Sequence, residues 1–215
     1  MNNFLKFKHM IEDYLKDNGV SYFSIVSNLH DTSINKQVSP YRYVYESNKD
    51  LDVLDMDLIA KRGYKIVKKA DGENNVINTT DAFVIDVNNE WYFIEFKDAK
   101  ISADNSKLKN SVLKKAYSNW YMILDIVYFM HQKGNEYSKF TIDNPIEFAK
   151  KHVSYILVCS EDKNPNTYQQ IKNCELIGEK YTPLFMKRLK DYIFKDAYVY
   201  TETYLENKFV NKFKY

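Results

Sequence analysis

The stretch Asp81-Ala-Phe-Val-Ile-Asp-Val-Asn-Asn-Glu-Trp-Tyr-Phe-Ile-Glu95-Phe-Lys97 predicts two apolar β-strands joined by a tight polar turn. Both faces of this hairpin are largely apolar, so we expect a central pair of strands that is covered on both sides. Asp81, Glu95 and Lys97 meet at the open end of the hairpin. Charges at the end of buried strands are costly unless they are paired or bound to a metal ion. The stretch therefore predicts the centre of the fold and a metal site together.

The register of the hairpin decides whether these charges share one face of the sheet. Directly opposed residues of an antiparallel pair point to the same face. A three-residue loop at 88–90 predicts Asp81 opposite Lys97, with Glu95 diagonally beside Asp81. A two-residue loop would place Asp81 on the other face. A site at this end therefore requires a loop of odd length or a compensating bulge.

The chemistry of such a site follows from the ligands that hard cations prefer. Mg²⁺ takes oxygen ligands, usually one or two carboxylates, and keeps several waters. We therefore predict that Asp81 and Glu95 bind Mg²⁺ or Mn²⁺, with the backbone carbonyl of Phe96 as a further ligand. Lys97, on the same face as Glu95, would position an attacking water or stabilise charge on a phosphate.

The remaining chain predicts a single α/β domain spanning residues 1–215, which is long enough for one core. The other expected elements are helices at 4–17, 51–62, 106–130 and 183–192, strands at 21–27, 64–69 and 153–159, and a β-rich tail at 197–205. Between about 51 and 160 the order is helix, three strands, long helix and strand. The last two of these suggest a crossover back onto the sheet.

Composition limits the class of protein. The chain is 45% hydrophobic and 28% charged, which excludes a disordered protein. A net charge of +2 means that nucleic-acid binding would have to come from a local patch. Cys159 and Cys174 have neither a disulfide framework nor a metal-binding spacing. With no signal peptide and no apolar run of membrane-spanning length, the sequence predicts a cytoplasmic protein without membrane association.

The array of Asp81, then Glu95-Phe96-Lys97, then a basic helix resembles the PD-(D/E)XK nuclease superfamily, which includes many restriction enzymes and phage or repair nucleases. The resemblance covers about half of the chain, from about 51 to 160. It implies a restriction-endonuclease-like core, which is a central mixed sheet with an antiparallel meander and helices on both faces. Thr80 stands where the name of the motif has proline. The acid that the superfamily often places on its first helix has three candidates, Glu46, Asp55 and Asp57.

The resemblance also implies an activity and a set of catalytic residues. It implies a divalent-metal-dependent endonuclease acting on DNA in preference to RNA, with Asp81, Glu95 and Lys97 as catalytic residues. Some members carry a Lys or Gln on the helix after the motif, and Lys114, one turn before Ser118, is the matching candidate. The basic start of this helix suits a phosphate backbone and contains Lys107, Lys109, Lys114 and Lys115. A homodimer is left open as the oligomeric state.

Other interpretations of the same residues remain open. The tripeptide Glu-x-Lys is not diagnostic alone, because it recurs at Glu161–Lys163 and Glu206–Lys208. Residues 196–208 form a rival site with an acid, an apolar strand and Glu-x-Lys, although no basic helix follows. A nuclease-fold protein that no longer cuts would bind nucleic acid or a protein partner. In a plain α/β interaction module, Glu95 and Lys97 would form only an ion pair.

Overall fold

A six-stranded mixed β-sheet forms the centre of the computed structural model, which describes residues 2–47, 51–72, 75–101, 106–134 and 142–213. The strands are β1 Val26–Asn28, β2 Ile34–Asn35, β3 Arg42–Tyr43, β4 Asp52–Asp55, β5 Ala82–Ile85, β6 Trp91–Lys97, β7 Val153–Cys159 and β8 Asp196–Thr201. The order in the large sheet is β1-β4-β5-β6-β7-β8, while β2 and β3 form a separate pair. Pairing is antiparallel from β1 to β6 and parallel from β6 to β8.

Helices connect the strands and cover the sheet. They are α1 Asn3–Asp17, α2 Leu29–Thr32, α3 Met56–Leu58, α4 Lys65–Val67, α5 Ser106–Gln132, α6 Pro145–His152, α7 Pro165–Leu176, α8 Leu184–Tyr192 and α9 Glu202–Tyr204. A π-helical stretch, Ile59–Tyr64, joins α3 to α4, and the helical stretches Leu205–Phe209 and Val210–Phe213 continue α9. In the part of the chain that the structure describes, none of these helices has the length and apolarity needed to cross a bilayer.

Aromatic side chains show how the helices cover both faces of the hairpin. On one face, the Trp91 ring lies 4.8 Å from Phe7 of α1 and 6.4 Å from Trp120 of α5, measured between ring centroids. On the other face, the Tyr92 ring lies 4.9 Å from Phe209 of the C-terminal helical segment. Successive strand residues point to opposite faces, so each face carries its own apolar layer. The predicted α/β class with a mixed central sheet is confirmed.

Two predicted elements are wrong and both lie before the hairpin, where the strand predicted at 21–27 is also reduced to β1 at Val26–Asn28. The helix expected at 51–62 begins as β4, and the strand expected at 64–69 is the end of a helical segment at 56–67. The apolar residues within 51–55 fit the spacing of a helix and of a strand equally well. They form a strand because β4 pairs with β1 and β5. The side chain of Asp55 then caps the helix by accepting a hydrogen bond from the Leu58 amide at 2.8 Å.

Beyond the hairpin, the predicted elements agree more closely. α5 extends two residues past the predicted helix at 106–130, and β7 has the predicted bounds of 153–159. The tail differs, because β8 ends at Thr201, whose hydroxyl caps α9 by accepting from the Tyr204 amide at 3.1 Å. Thus the strand predicted to reach residue 205 stops four residues earlier.

Candidate active site

The register of the β5–β6 hairpin brings Asp81 next to Glu95. The ladder runs from Ile85 opposite Trp91 to Ala82 opposite Ile94, and the Asp81 amide donates to the Ile94 carbonyl at 3.1 Å, so Asp81 lies just past the end of the ladder, beside Glu95. The predicted loop at 88–90 is wrong by one residue, since the loop is 87–89, and the predicted cross-strand pairing is wrong by two residues, so that Asp81 lies beside Glu95 and not opposite Lys97. A shift of two residues keeps every side chain on its predicted face, because side chains alternate with a period of two. The required odd-length loop is present.

Asp86 fixes this loop. Its side chain accepts hydrogen bonds from the amides of Asn88 at 2.9 Å and Glu90 at 3.0 Å, and from the Tyr92 hydroxyl at 3.1 Å. Asn89 adopts a positive φ of 61°, which closes a three-residue hairpin loop and is tolerated by asparagine. The turn therefore sets the register, and the register brings the distant Asp81 to Glu95.

Four charged side chains converge at the open end of the hairpin, and we call them the charge cluster: Asp81, Glu95, Lys97 and Lys115. Lys97 Nζ lies 2.5 Å from Glu95 Oε1, and Lys115 Nζ lies 2.7 and 2.8 Å from Glu95 Oε1 and Oε2. Lys115 Nζ is also 3.7 Å from Asp81 Oδ1. The Glu95 side chain is completely buried, whereas the other three are about one-fifth exposed. Three of the four predicted catalytic residues are thus brought together.

Lys115 of α5, and not the predicted Lys114, supplies the fourth charge. Lys114 is exposed on the outer side of α5 and forms none of the contacts of the charge cluster described above. Helix periodicity explains the difference, because adjacent helical residues point about 100° apart and only one of the two can face the sheet. Both lysines lie in a basic run, so the residue facing the sheet could be chosen only from the phase of α5, whose buried positions include Val112, Ala116 and Asn119.

The electrostatics of the charge cluster are strongly coupled. Burial and the neighbouring Glu95 carboxylate raise the pKa of Asp81, even though Lys115 and the Phe96 amide favour its ionised form. Burial alone would lower the pKa of Lys115, but the Glu95 and Asp81 carboxylates outweigh this effect and raise it. Bringing a cation to Asp81 would therefore offset an unfavourable negative charge.

Two buried groups that the sequence did not single out support the charge cluster. Asn119 of α5 accepts a hydrogen bond from the Thr80 hydroxyl at 3.3 Å and donates to the Lys115 carbonyl at 2.5 Å, which ties α5 to the residue before Asp81. Tyr155 of β7 pairs with Phe93 and is fully buried, and no atom in the described residues accepts its hydroxyl proton. Burial and the nearby Glu95 and Asp81 carboxylates raise its pKa.

A cleft of about 1080 Å³ opens beside the charge cluster. Its wall includes Asp81, Lys97, Asp55, Asp57, Lys61, Lys107 and Ser111. Of the three candidates for a further acid, Asp55 and Asp57 thus face the same cleft as Asp81, and Glu46 is not among the lining residues. Asp57 is held by Lys61 and accepts from the Thr79 hydroxyl at 2.5 Å. Burial raises the pKa of Asp55, partly opposed by the Leu58 amide.

The oxygen donors of the charge cluster suit a hard divalent cation. Among the described residues no group of three or more His, Cys, Asp or Glu side chains is arranged to hold a metal ion. Asp81 and Glu95 nevertheless supply the two carboxylates that Mg²⁺ usually takes. The Phe96 amide donates to Asp81 Oδ2 at 2.7 Å, and the carbonyl of a strand residue points to the same edge as its amide. Asp81 and Glu95 would hold the cation once the Lys115 ammonium moved aside, with the Phe96 carbonyl as the further candidate ligand.

The rival site at 196–208 does not assemble in the same way. Asp196 begins β8 and its carboxylate lies 2.6 Å from Lys180 Nζ and 3.4 Å from Lys190 Nζ. Glu206 and Lys208 lie in the helical stretch after α9, beyond the opposite end of β8. The acid and the Glu-x-Lys tripeptide are therefore separated by the length of the strand.

Comparison of the chain with protein-family models, with curated proteins and with solved structures gave no match. The function must therefore be inferred from the geometry and chemistry of the charge cluster and its cleft.

Proposed function

We propose that the protein is a divalent-metal-dependent nuclease of the PD-(D/E)XK type that hydrolyses phosphodiester bonds in DNA, with RNA as the less favoured substrate. The observation that carries this proposal is the convergence of Asp81, Glu95 and Lys97 beside one large cleft. Three charges at the open end of an otherwise apolar hairpin contribute little to packing and supply the groups that phosphodiester hydrolysis needs.

The order of elements supports the proposed restriction-endonuclease-like core. A helix, α1, precedes the antiparallel meander β4-β5-β6, and α5 and the parallel strand β7 follow it. The resemblance implies a helix, a meander, a helix and a strand. In this comparison α1 would replace the helix expected at 51–62, and β1 to β3, the helical segment at 56–67 and α6 would be additions. The carboxyl end of β6, where Glu95 and Lys97 lie, borders the cleft.

Each residue has a distinct role in the proposed reaction. Asp81 and Glu95 would hold the cation, with the Phe96 carbonyl beside them. When bound, a divalent cation supplies an activated water and neutralises charge that develops on phosphate oxygens. Lys97 orients the nucleophile and stabilises negative charge, because its ammonium lies on the cleft wall next to Glu95. Lys114 would contact phosphate from the outer side of α5.

A cleavage assay tests the proposal. DNA and RNA of the same sequence are incubated with Mg²⁺, Mn²⁺ or EDTA and with wild type, Asp81→Ala or Lys97→Ala. We expect metal-dependent cleavage by wild type and a loss of about 100-fold or more in each variant, because each removes charge stabilisation in the transition state. Lys195→Ala is the matched control, since Lys195 pairs with Glu90 at the other end of the hairpin and should retain activity. Unchanged activity in Asp81→Ala and Lys97→Ala would overturn the assignment.

The position of Lys115 favours a second candidate, a nuclease-fold protein that binds nucleic acid or a protein partner without cutting. Its ammonium contacts both oxygens of Glu95 and approaches Asp81, so it occupies the space between the two carboxylates. Lys97 and Lys115 together balance the charge of both acids without a metal. Salt-sensitive nucleic-acid binding in EDTA, with no cleavage by wild type in Mg²⁺ or Mn²⁺, would favour this candidate.

A further inference from the structure

The charge of the protein is concentrated on two neighbouring helical segments that start at the cleft. Residues 56–69 and α5 carry nine Lys and Arg side chains against two Asp side chains, a net charge of +7. The whole chain has a net charge of +2, so the remainder is net −5. A polyanion that reaches the cleft would therefore be attracted to these two segments more strongly than to the rest of the chain, whose summed charge is negative.

The two segments lie side by side. Near the cleft, Asp57 and Lys61 of the first segment and Lys107 and Ser111 of α5 line the same wall. Farther along, the Tyr64 hydroxyl donates to Asp125 Oδ2 at 2.8 Å, and Lys68 pairs with the same carboxylate. One continuous surface therefore leads from the cleft along α5.

The exposed side of α5 changes from lysine to tyrosine with distance from the cleft. Lys107, Lys114 and Tyr121 follow one another at seven-residue intervals, and Tyr117 lies within about 40° of Tyr121 around the helix axis. The exposed fractions of Tyr117, Tyr121 and Tyr128 are 51%, 62% and 65%. Three large aromatic rings aligned on one helix thus expose apolar surface, as far as the described residues show.

We propose that this surface, formed by Lys114, Tyr117 and Tyr121 and flanked by Lys68, binds a single-stranded segment of nucleic acid that leads into the cleft. The inference rests on the proposed function and names its substrate as a strand with unpaired bases. Tyr117 and Tyr121 are separated by about 6 Å along the helix, which suits stacking of successive unpaired bases. Lysines beside such rings hold the phosphates, whereas a duplex keeps the faces of its bases inaccessible to tyrosine.

Binding is measured by fluorescence anisotropy in EDTA, so that cleavage plays no part. The probes are a labelled oligothymidylate and an oligouridylate of about 20 nucleotides, longer than the usual site size, and a blunt duplex of equal length. Wild type should bind a single strand more tightly than the duplex, and the two single strands show whether DNA or RNA is preferred. Tyr121→Ala should weaken single-strand binding about 10-fold, and Tyr117→Ala/Tyr121→Ala about 100-fold.

Two further variants separate stacking from charge. Tyr192→Ala removes a tyrosine that is 73% exposed on α8 and should bind like wild type. Lys114→Ala should lower the slope of log affinity against log salt concentration by about 0.7, the value for one phosphate contact with a single strand, whereas the Tyr117→Ala/Tyr121→Ala variant should leave the slope unchanged.

The outcomes distinguish this inference from the proposed function. Equal or tighter binding of the duplex, or a double tyrosine variant that binds like Tyr192→Ala, overturns the single-strand surface even if wild type cleaves DNA. Binding of single strands through the tyrosines, with no cleavage in Mg²⁺ or Mn²⁺, supports the surface and overturns the proposed nuclease activity.

Discussion

The two ends of the β5–β6 hairpin hold the same pair of residue types in opposite settings. An Asp lies next to a Glu at each end: Asp86 is opposite Glu90 at the turn, and Asp81, just past the last strand pair, is beside Glu95 at the open end. At the turn, Asp86 accepts two backbone amides, and the Glu90 carboxylate lies 2.8 Å from Lys195 Nζ at the surface. The acids at the turn therefore stabilise the loop and add little else.

The open end holds four charged side chains, one of them completely buried. Glu95 is completely buried between two lysines, and Asp81 receives one backbone amide while facing the cleft. Burial and Glu95 raise the pKa of Asp81, so its negative charge is disfavoured even with Lys115 nearby. Because the same residue types are used at the turn for structure alone, the difference between the two ends points to function at the open end.

The largest expected difference is in stability. Glu95→Gln leaves Lys97 and Lys115 without their buried carboxylate and should lower the free energy of unfolding by about 3 kcal/mol. Glu90→Gln removes an ion pair at the surface and should cost less than about 1 kcal/mol. Urea unfolding monitored by circular dichroism measures both values. Equal losses of unfolding free energy in the two variants would mean that the carboxylate at the open end stabilises the fold no more than the carboxylate at the turn does.

A smaller effect is expected on metal affinity. Lys115→Met removes the ammonium that competes for the Glu95 carboxylate, so Mn²⁺ should bind about 10-fold more tightly than to wild type because a like charge is gone. Lys114→Met, on the neighbouring exposed position, should leave the affinity unchanged. Isothermal titration calorimetry with Mn²⁺ compares the three proteins. Weaker binding by Lys115→Met would show that Lys115 supports the cation site.

The smallest effect is on stability, and it has opposite signs for the two aspartates. Asp86→Asn loses charge-assisted hydrogen bonds in the turn and should reduce stability by about 1 kcal/mol. Asp81→Asn keeps an oxygen acceptor for the Phe96 amide and removes a carboxylate whose pKa burial and Glu95 raise, so it should raise the melting temperature above neutral pH without metal. Calorimetric melting in EDTA tests this, and a lower melting temperature for Asp81→Asn would contradict the account.

The sequence predicted the apolar hairpin, α5 and β7 because each has a long and uniform pattern. It failed at 51–69, where short apolar spacings satisfy helix and strand equally and the choice depends on pairing of β4 with β1 and β5. The predicted loop position was also wrong, because hydrogen bonds of the Asp86 side chain set the turn. The alternation of residues along the strands gives no information about those bonds.

Three residues of the charge cluster could be predicted from the sequence, whereas the lysine of α5 that joins them could not. Asp81, Glu95 and Lys97 are predicted on one face of the sheet because the loop has an odd number of residues. A register error of two residues does not change that face. The choice between Lys114 and Lys115 depends on the rotational phase of α5 against the sheet. Tyr155 and Asn119 could not be found from the sequence, because a tyrosine in a buried strand and an asparagine in a long helix carry no local signal of a site.

Crystals grown with Mn²⁺ and measured at the manganese absorption edge show whether Asp81 and Glu95 form a divalent-cation site. We expect an anomalous peak coordinated by one carboxylate oxygen from each residue, with the Lys115 ammonium displaced from Glu95. Saturating Mn²⁺ with no peak between the two carboxylates, and Lys115 still in contact with Glu95, would contradict such a site.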